Sequence, residues 1–142
     1  MSSASVSILA TIEEVTATLF DIEKYPEWST SIKRAEVLER DSQGRVAKAK
    51  LTIDAGAMKD RVTLIYDWSA APARLEFSLD EADLLTQMDG AYVIKAIDTE
   101  TTAVSYELNV AISMPLPAMM IRKAEKTTID QVLAQLKAHL EG

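Results

Sequence analysis

The sequence predicts an α+β domain in which a curved antiparallel sheet of about seven strands carries one long C-terminal helix across its concave face. Three observations carry that expectation. Runs between residues 46 and 112 alternate apolar and polar side chains, the period of strands with one covered and one wet face. After residue 117 the apolar residues recur at three- and four-residue spacing, which gives a single stripe along a helix. Turn signals separate the alternating runs, so consecutive strands pair as antiparallel neighbours.

The segment "SVSILA" at 5–10 is short and β-prone. Thr11 follows as a helix cap, with Glu14 three positions later to complete a capping box. Ile12, Val15, Leu19 and Ile22 then mark one apolar face. Pro26 ends that helix, since a proline there removes a donor and collides with the preceding turn. Residues 26–31 are expected to form a second short helix with Pro26 in its first turn. "DSQG" at 41–44 is a hairpin turn. Beyond it, Ala47, Ala49, Leu51 and Ile53 share a face, as do Val62, Leu64, Tyr66 and Trp68, and then Leu75, Phe77 and Leu79. The longest alternation is Val104, Tyr106, Leu108, Val110 and Ile112. "AGAMKD", "AAPA" and "DTETT" supply turns, and "MPLP" at 114–117 closes the sheet. Met120, Ala124, Thr128, Val132, Leu136 and Leu140, widened by Ile129 and Leu133, define a helix of about 22–24 residues, about twice the usual length.

One domain over residues 1–142 is the expectation for a chain of this length. The net charge of −7, with bases scattered among acids, argues against nucleic acid and against attraction to anionic membranes. No cysteine is present, which excludes disulfides, thiolate metal sites and cysteine nucleophiles. The N-terminus has no cationic signal-peptide region, and no apolar run reaches the roughly 18–20 residues of a membrane span. A cytoplasmic protein, monomer or homodimer, is expected. The single histidine, His139, lies beside the stripe near the chain end, so neither a metal site nor a histidine-based triad is indicated. The four glycines are far apart and make no phosphate loop. No cofactor is expected.

Several segments carry a family resemblance. Ile12-Glu13-Glu14-Val15 followed by Asp21-Ile22-Glu23-Lys24-Tyr25-Pro26-Glu27-Trp28 resembles the opening of the START-like (SRPBCC) superfamily of polyketide cyclase/dehydrase and lipid-transport proteins, bacterial type. Asp89-Gly90-Ala91-Tyr92, Tyr106-Glu107-Leu108 and Pro115-Leu116-Pro117 before the last helix are similar as well. The resemblance spans nearly the whole chain and implies a helix-grip (START/Bet v 1-like) fold around a hydrophobic tunnel. Thr11 departs from it, standing where many members have a proline, although capping replaces that role.

Tyr25, Pro26 and Trp28 are expected to be structural, plugging one end of the core. Tyr66, Trp68, Phe77, Tyr92, Tyr106 and Leu108 are candidate pocket-lining residues, the tyrosine hydroxyls orienting a polar head. Met58, Met119, Met120 and Ala124 are further pocket-lining candidates; the resemblance implies that the regions of Met58 and of Met114, Met119 and Met120 meet at the tunnel mouth, methionine suiting irregular apolar ligands. Arg61, Asp89 and Glu125 are polar candidates near the opening. The charges Arg122, Lys123, Glu125, Lys126 and Asp130 read as a mostly solvated face. The leading functional expectation is non-catalytic binding of a small hydrophobic molecule such as a lipid, isoprenoid or polyketide-like compound. The alternatives are a cyclase/aromatase or dehydratase using tyrosine, arginine or carboxylate groups, and a protein–protein interaction module.

Overall fold

The structure is a computed structural model and describes residues 1–55 and 59–142. The chain runs β1 (Ser2–Ile8), α1 (Ile12–Phe20), a 3₁₀ helix (Ile22–Glu27), β2 (Ile32–Arg40), β3 (Val46–Asp54), β4 (Lys59–Asp67), β5 (Arg74–Ala82), β6 (Leu85–Ala96), β7 (Thr102–Ile112) and α2 (Ala118–Glu141). All seven strands form one antiparallel sheet in the order β1-β7-β6-β5-β4-β3-β2. From β2 to β7, neighbours in sequence are neighbours in space. β1 crosses to the far edge, with Ser2 opposite Leu108 and Ile8 opposite Thr102, and the two short helices fill the connection back to β2.

Local chemistry accounts for the elements. The Thr11 hydroxyl accepts from the Glu14 amide while the Glu14 carboxylate accepts from the Thr11 amide, satisfying two donors at the start of α1. The second helix departs from expectation: it spans Ile22–Glu27 as a 3₁₀ helix, so Pro26 sits next to its end and residues 28–31 lie outside it. Asp21, at φ −92° and ψ 73°, already breaks α1. The Lys24 amide then donates to Asp21 and the Trp28 amide to Tyr25, a ladder that does not need the missing Pro26 amide. Gly44, at φ +81°, makes the β2–β3 turn with Asp41, whose carboxylate accepts from the Gln43 and Arg45 amides.

β5 and β6 pair only from Arg74↔Val93 to Phe77↔Gly90. Below that point β5 continues against β4 and β6 against β7. Their connection at Asp83–Leu84 is held from outside: the Asp60 carboxylate accepts from the amides of Asp83, Leu84 and Leu85 at 2.8–3.2 Å, and from its neighbour Arg61. Gly90 is required where the pairing ends, because a Cβ there would lie 2.5 Å from the Phe77 ring and 2.6 Å from the Glu107 carbonyl oxygen.

The concave face of the sheet and the inner stripe of α2 make the core. Leu51, Val62, Leu64, Leu75, Ile94, Val104 and Leu108 are buried against Ile129, Val132, Leu133 and Leu136, each contributing roughly 1.5–3 kcal/mol of burial. Among the described residues, no helix is long and apolar enough to cross a membrane.

Candidate functional site

Two spaces lie between sheet and helix. The larger is a cleft of about 270 Å³ where the start of α2 meets the ends of β6 and β7. Leu84, Leu85, Val110, Ile112, Met114, Leu116, Met120, Ile121 and Ala124 line it, with Lys59 and Asp60 at one side. Its floor exists because the β1–β7 pairing reaches only to Leu108, leaving the last residues of β7 without a strand on that side. The edge amide of Val110 is satisfied by Glu125 instead: one carboxylate oxygen accepts from it at 2.7 Å and the other from the Ser2 hydroxyl at 2.7 Å.

The smaller space is a chamber of about 30 Å³ deeper in the core, room for about one or two waters. All four tyrosines of the chain, Tyr25, Tyr66, Tyr92 and Tyr106, line it, together with Phe77, Met88, Ser31, Thr128 and Val132. Tyr92 and Tyr106 stack at 4.5 Å and 18°. The Phe77 ring stands 6.2–6.4 Å from Tyr66, Tyr92 and Tyr106. Burial pushes all four phenols well above their ordinary value, and the proximity of other tyrosines adds to this for Tyr25, Tyr66 and Tyr92. These groups are therefore neutral hydrogen-bonding groups at physiological pH. No charged side chain lines the chamber among the described residues.

No residue lines both cleft and chamber, but their linings adjoin. Val110 faces the cleft and its cross-strand partner Met88 the chamber; Ala124 faces the cleft and Thr128, one turn on, the chamber.

The candidates from sequence divide accordingly. Tyr66, Phe77, Tyr92 and Tyr106 meet at the chamber, while Met120 and Ala124 meet at the cleft. Trp68 and Leu108 are buried but line neither space; the Trp68 indole donates to the Val46 carbonyl at 2.7 Å and packs edge-on to Phe20. Met119 points to solvent and is not in the cleft lining. Met58 lies outside the described residues. Arg61 and Asp89, expected near the opening, are on the convex face. Arg61 pairs there with Asp83 at 2.8 Å, and Asp89 lies beside Gln87, Glu107 and Asn109. Their strand parity explains it, since Arg61 alternates with buried Val62 and Asp89 with buried Met88. Glu125, read from the sequence as a polar group near the opening and as part of a mostly solvated helix face, is instead buried, its two carboxylate oxygens accepting from the Ser2 hydroxyl and the Val110 amide. Tyr25 and Trp28 pack edge-on at 5.3 Å, with the Tyr25 hydroxyl donating to the Leu19 carbonyl, and Tyr25 also reaches the chamber. Sequence reasoning missed Met88, Ser31 and Leu85. The alternation puts Val110 and Ile112 on the covered face without showing that β1 leaves them bare.

The sequence profile of the polyketide cyclase / dehydrase and lipid transport family matches residues 8–137. Among solved structures, a START superfamily protein from Mycobacterium smegmatis is 23% identical and aligns with a TM-score of 0.93 over 99% of this chain and 96% of its own. Zhui aromatase/cyclase from Streptomyces sp. R1128 is 15% identical, with a TM-score of 0.79 over 99% and 92% of the two chains. A protein from Thermus thermophilus, TTHA0849, is 21% identical, with a TM-score of 0.79 over 97% and 94%. At these identities the likeness is one of fold. No curated protein sequence matches this chain.

Proposed function

The chain belongs to the polyketide cyclase / dehydrase and lipid transport family, and on that premise we propose that it is a carrier or sensor that binds one small hydrophobic molecule without transforming it. The observation that carries this reading is the apolar cleft of about 270 Å³ at the start of α2, close to the lower end of the size range of small-molecule pockets. A ligand that hides about 200 Å² of apolar surface there gains roughly 5 kcal/mol before the costs of association. Met88, which lines the chamber opposite its cross-strand partner Val110 of the cleft, is an unbranched thioether that changes rotamer at low cost, so it is the side chain best able to give way between the two spaces. A ligand long enough to displace it would place a polar end among phenol donors in a buried space lined by no cation among the described residues, where an uncharged oxygen costs far less to desolvate than a carboxylate.

A cyclase or dehydratase would draw on the same phenols. Against it, none of the four has a carboxylate, histidine or cation beside it in the chamber among the described residues, and phenols pushed upward in pKa are poor bases at neutral pH.

Displacement of an apolar fluorescent probe, together with native mass spectrometry of protein made in different hosts, tests the proposal. Ala124→Phe fills the cleft and is expected to weaken probe binding at least tenfold. Tyr66→Phe, Tyr92→Phe and Tyr106→Phe are expected to change affinity only. A protein that carries no small molecule and binds the probe equally well after Ala124→Phe refutes the carrier reading; loss of a turnover with binding kept in a Tyr→Phe variant establishes the enzyme.

A further inference from the structure

We infer that the rim around the cleft is a docking surface for membranes that contain anionic lipid. Ten large apolar side chains are exposed among the described residues, and five of them, Leu84, Met114, Leu116, Met119 and Met120, are at this one end of the molecule. They come from three separate segments: the β5–β6 turn, the loop before α2 and the first turn of α2. Met119 is 74% exposed and takes no part in the cleft lining, so neither core packing nor the proposed ligand site accounts for it. Grouped apolar exposure of this kind marks an interaction surface.

Charge selects the partner. The protein is acidic overall, yet residues 114–126 hold Arg122, Lys123 and Lys126 against one acid, Glu125. Glu125 is buried and accepts two internal hydrogen bonds, so it does not offset them at the surface. The three cations are exposed, and none forms an ion pair among the described residues. Among the acids on this side, Asp60 in the cleft wall accepts from four backbone amides, and Asp54 and Asp83 are each paired, with Lys59 at 4.0 Å and Arg61 at 2.8 Å.

Methionine and leucine next to unpaired cations are the composition of a segment that rests in the headgroup layer. A rim assembled from three segments around an opening suits a deformable lipid surface better than a rigid protein face. At about 0.1 M salt the acids elsewhere are screened beyond about 10 Å, so the local patch decides the interaction despite the overall charge of −7. Each basic residue near such a surface is worth about a fivefold gain in partitioning.

Vesicle co-sedimentation at about 0.1 M salt tests this, using phosphatidylcholine vesicles with and without phosphatidylglycerol. The protein is expected to pellet with the anionic vesicles and stay in solution with the neutral ones. The double variant Arg122→Glu/Lys123→Glu and, separately, Met119→Ser are each expected to weaken pelleting about tenfold or more, with unchanged melting temperature. Arg40→Glu/Lys95→Glu, at the opposite ends of β2 and β6 from the cleft, is the control and is expected to pellet as the parent does. Absence of pelleting with anionic vesicles overturns the inference and leaves the rim to a protein partner. Equal pelleting with both vesicle types, or equal loss in the control, overturns it too. Probe displacement without vesicles is measured on the same variants. Since Met119 lies outside the cleft lining, the ligand reading and the docking inference can fail independently.

Discussion

Raising the pH tests the chamber most directly, because every tyrosine of the chain lines it. Burial raises the phenol pKa values in the folded protein above the ordinary value near 10. The folded state therefore holds these protons when the unfolded state releases them. The stability they confer is complete below about pH 10 and is lost as pH climbs through the interval between the unfolded and folded values. At about pH 11, each tyrosine that ionises only after unfolding lowers stability by about 1.4 kcal/mol. Four of them together remove about 5–6 kcal/mol, comparable with the whole stability of a domain at the low end of the usual range of about 5–15 kcal/mol. Ultraviolet absorbance of tyrosinate and circular dichroism, followed together from neutral to alkaline pH, are expected to change in one coincident, cooperative step. Tyr66→Phe should reduce the steepness of the stability loss by about a quarter. A gradual rise in tyrosinate absorbance centred near pH 10, with the dichroism still native, would refute the reasoning: it would mean that water reaches the phenols and that the space is an open tunnel, not a sealed chamber.

Further outcomes follow from three single sites. Trp28→Ala should cost about 3–5 kcal/mol in thermal or urea melts. Trp28→Phe should cost only about 1 kcal/mol, because the buried indole nitrogen has no partner among the described residues and its removal relieves that donor. Asp60→Asn should cost about 2–3 kcal/mol, speed hydrogen exchange at Asp83, Leu84 and Leu85, and weaken probe binding in the cleft that Leu84 and Leu85 help to line. Gly90→Ala should cost about 2–3 kcal/mol by overpacking against Phe77 and the Glu107 backbone, visible as a lower melting temperature.

What the sequence reveals and what it hides have physical causes. β7 is legible because it lies within the sheet with one covered face, so Val104, Tyr106 and Leu108 alternate with half-exposed neighbours. The capping box at Thr11 and the turn at Gly44 are legible because their chemistry is local. β6 is not, since a register shift between Leu85 and Gln87 breaks its alternation. The turn before it carries no glycine or proline and is fixed by Asp60, some 23 residues earlier in sequence. The placement of Arg61 and Asp89 was legible in principle: both sit between inward-facing residues, and their own strand period assigns them to the convex side.

The shape of the interior is the part that no local signal encodes. A long helix over a bent sheet leaves a large void only if the side chains between them are too small or too few, and here four tyrosines, Phe77 and Met88 nearly fill it. What stays open is the end where the pairing with β1 reaches only to Leu108 while β7 runs on to Ile112. That mismatch bares Val110 and Ile112, and Glu125 satisfies the edge amide that a longer β1 pairing would have taken. The cleft thus follows from how far one edge strand pairs and which helix residue takes over its hydrogen bond. The first joins Ser2 to Leu108, more than 100 residues apart, the second joins a strand to a helix, and alternation along a single strand cannot express either.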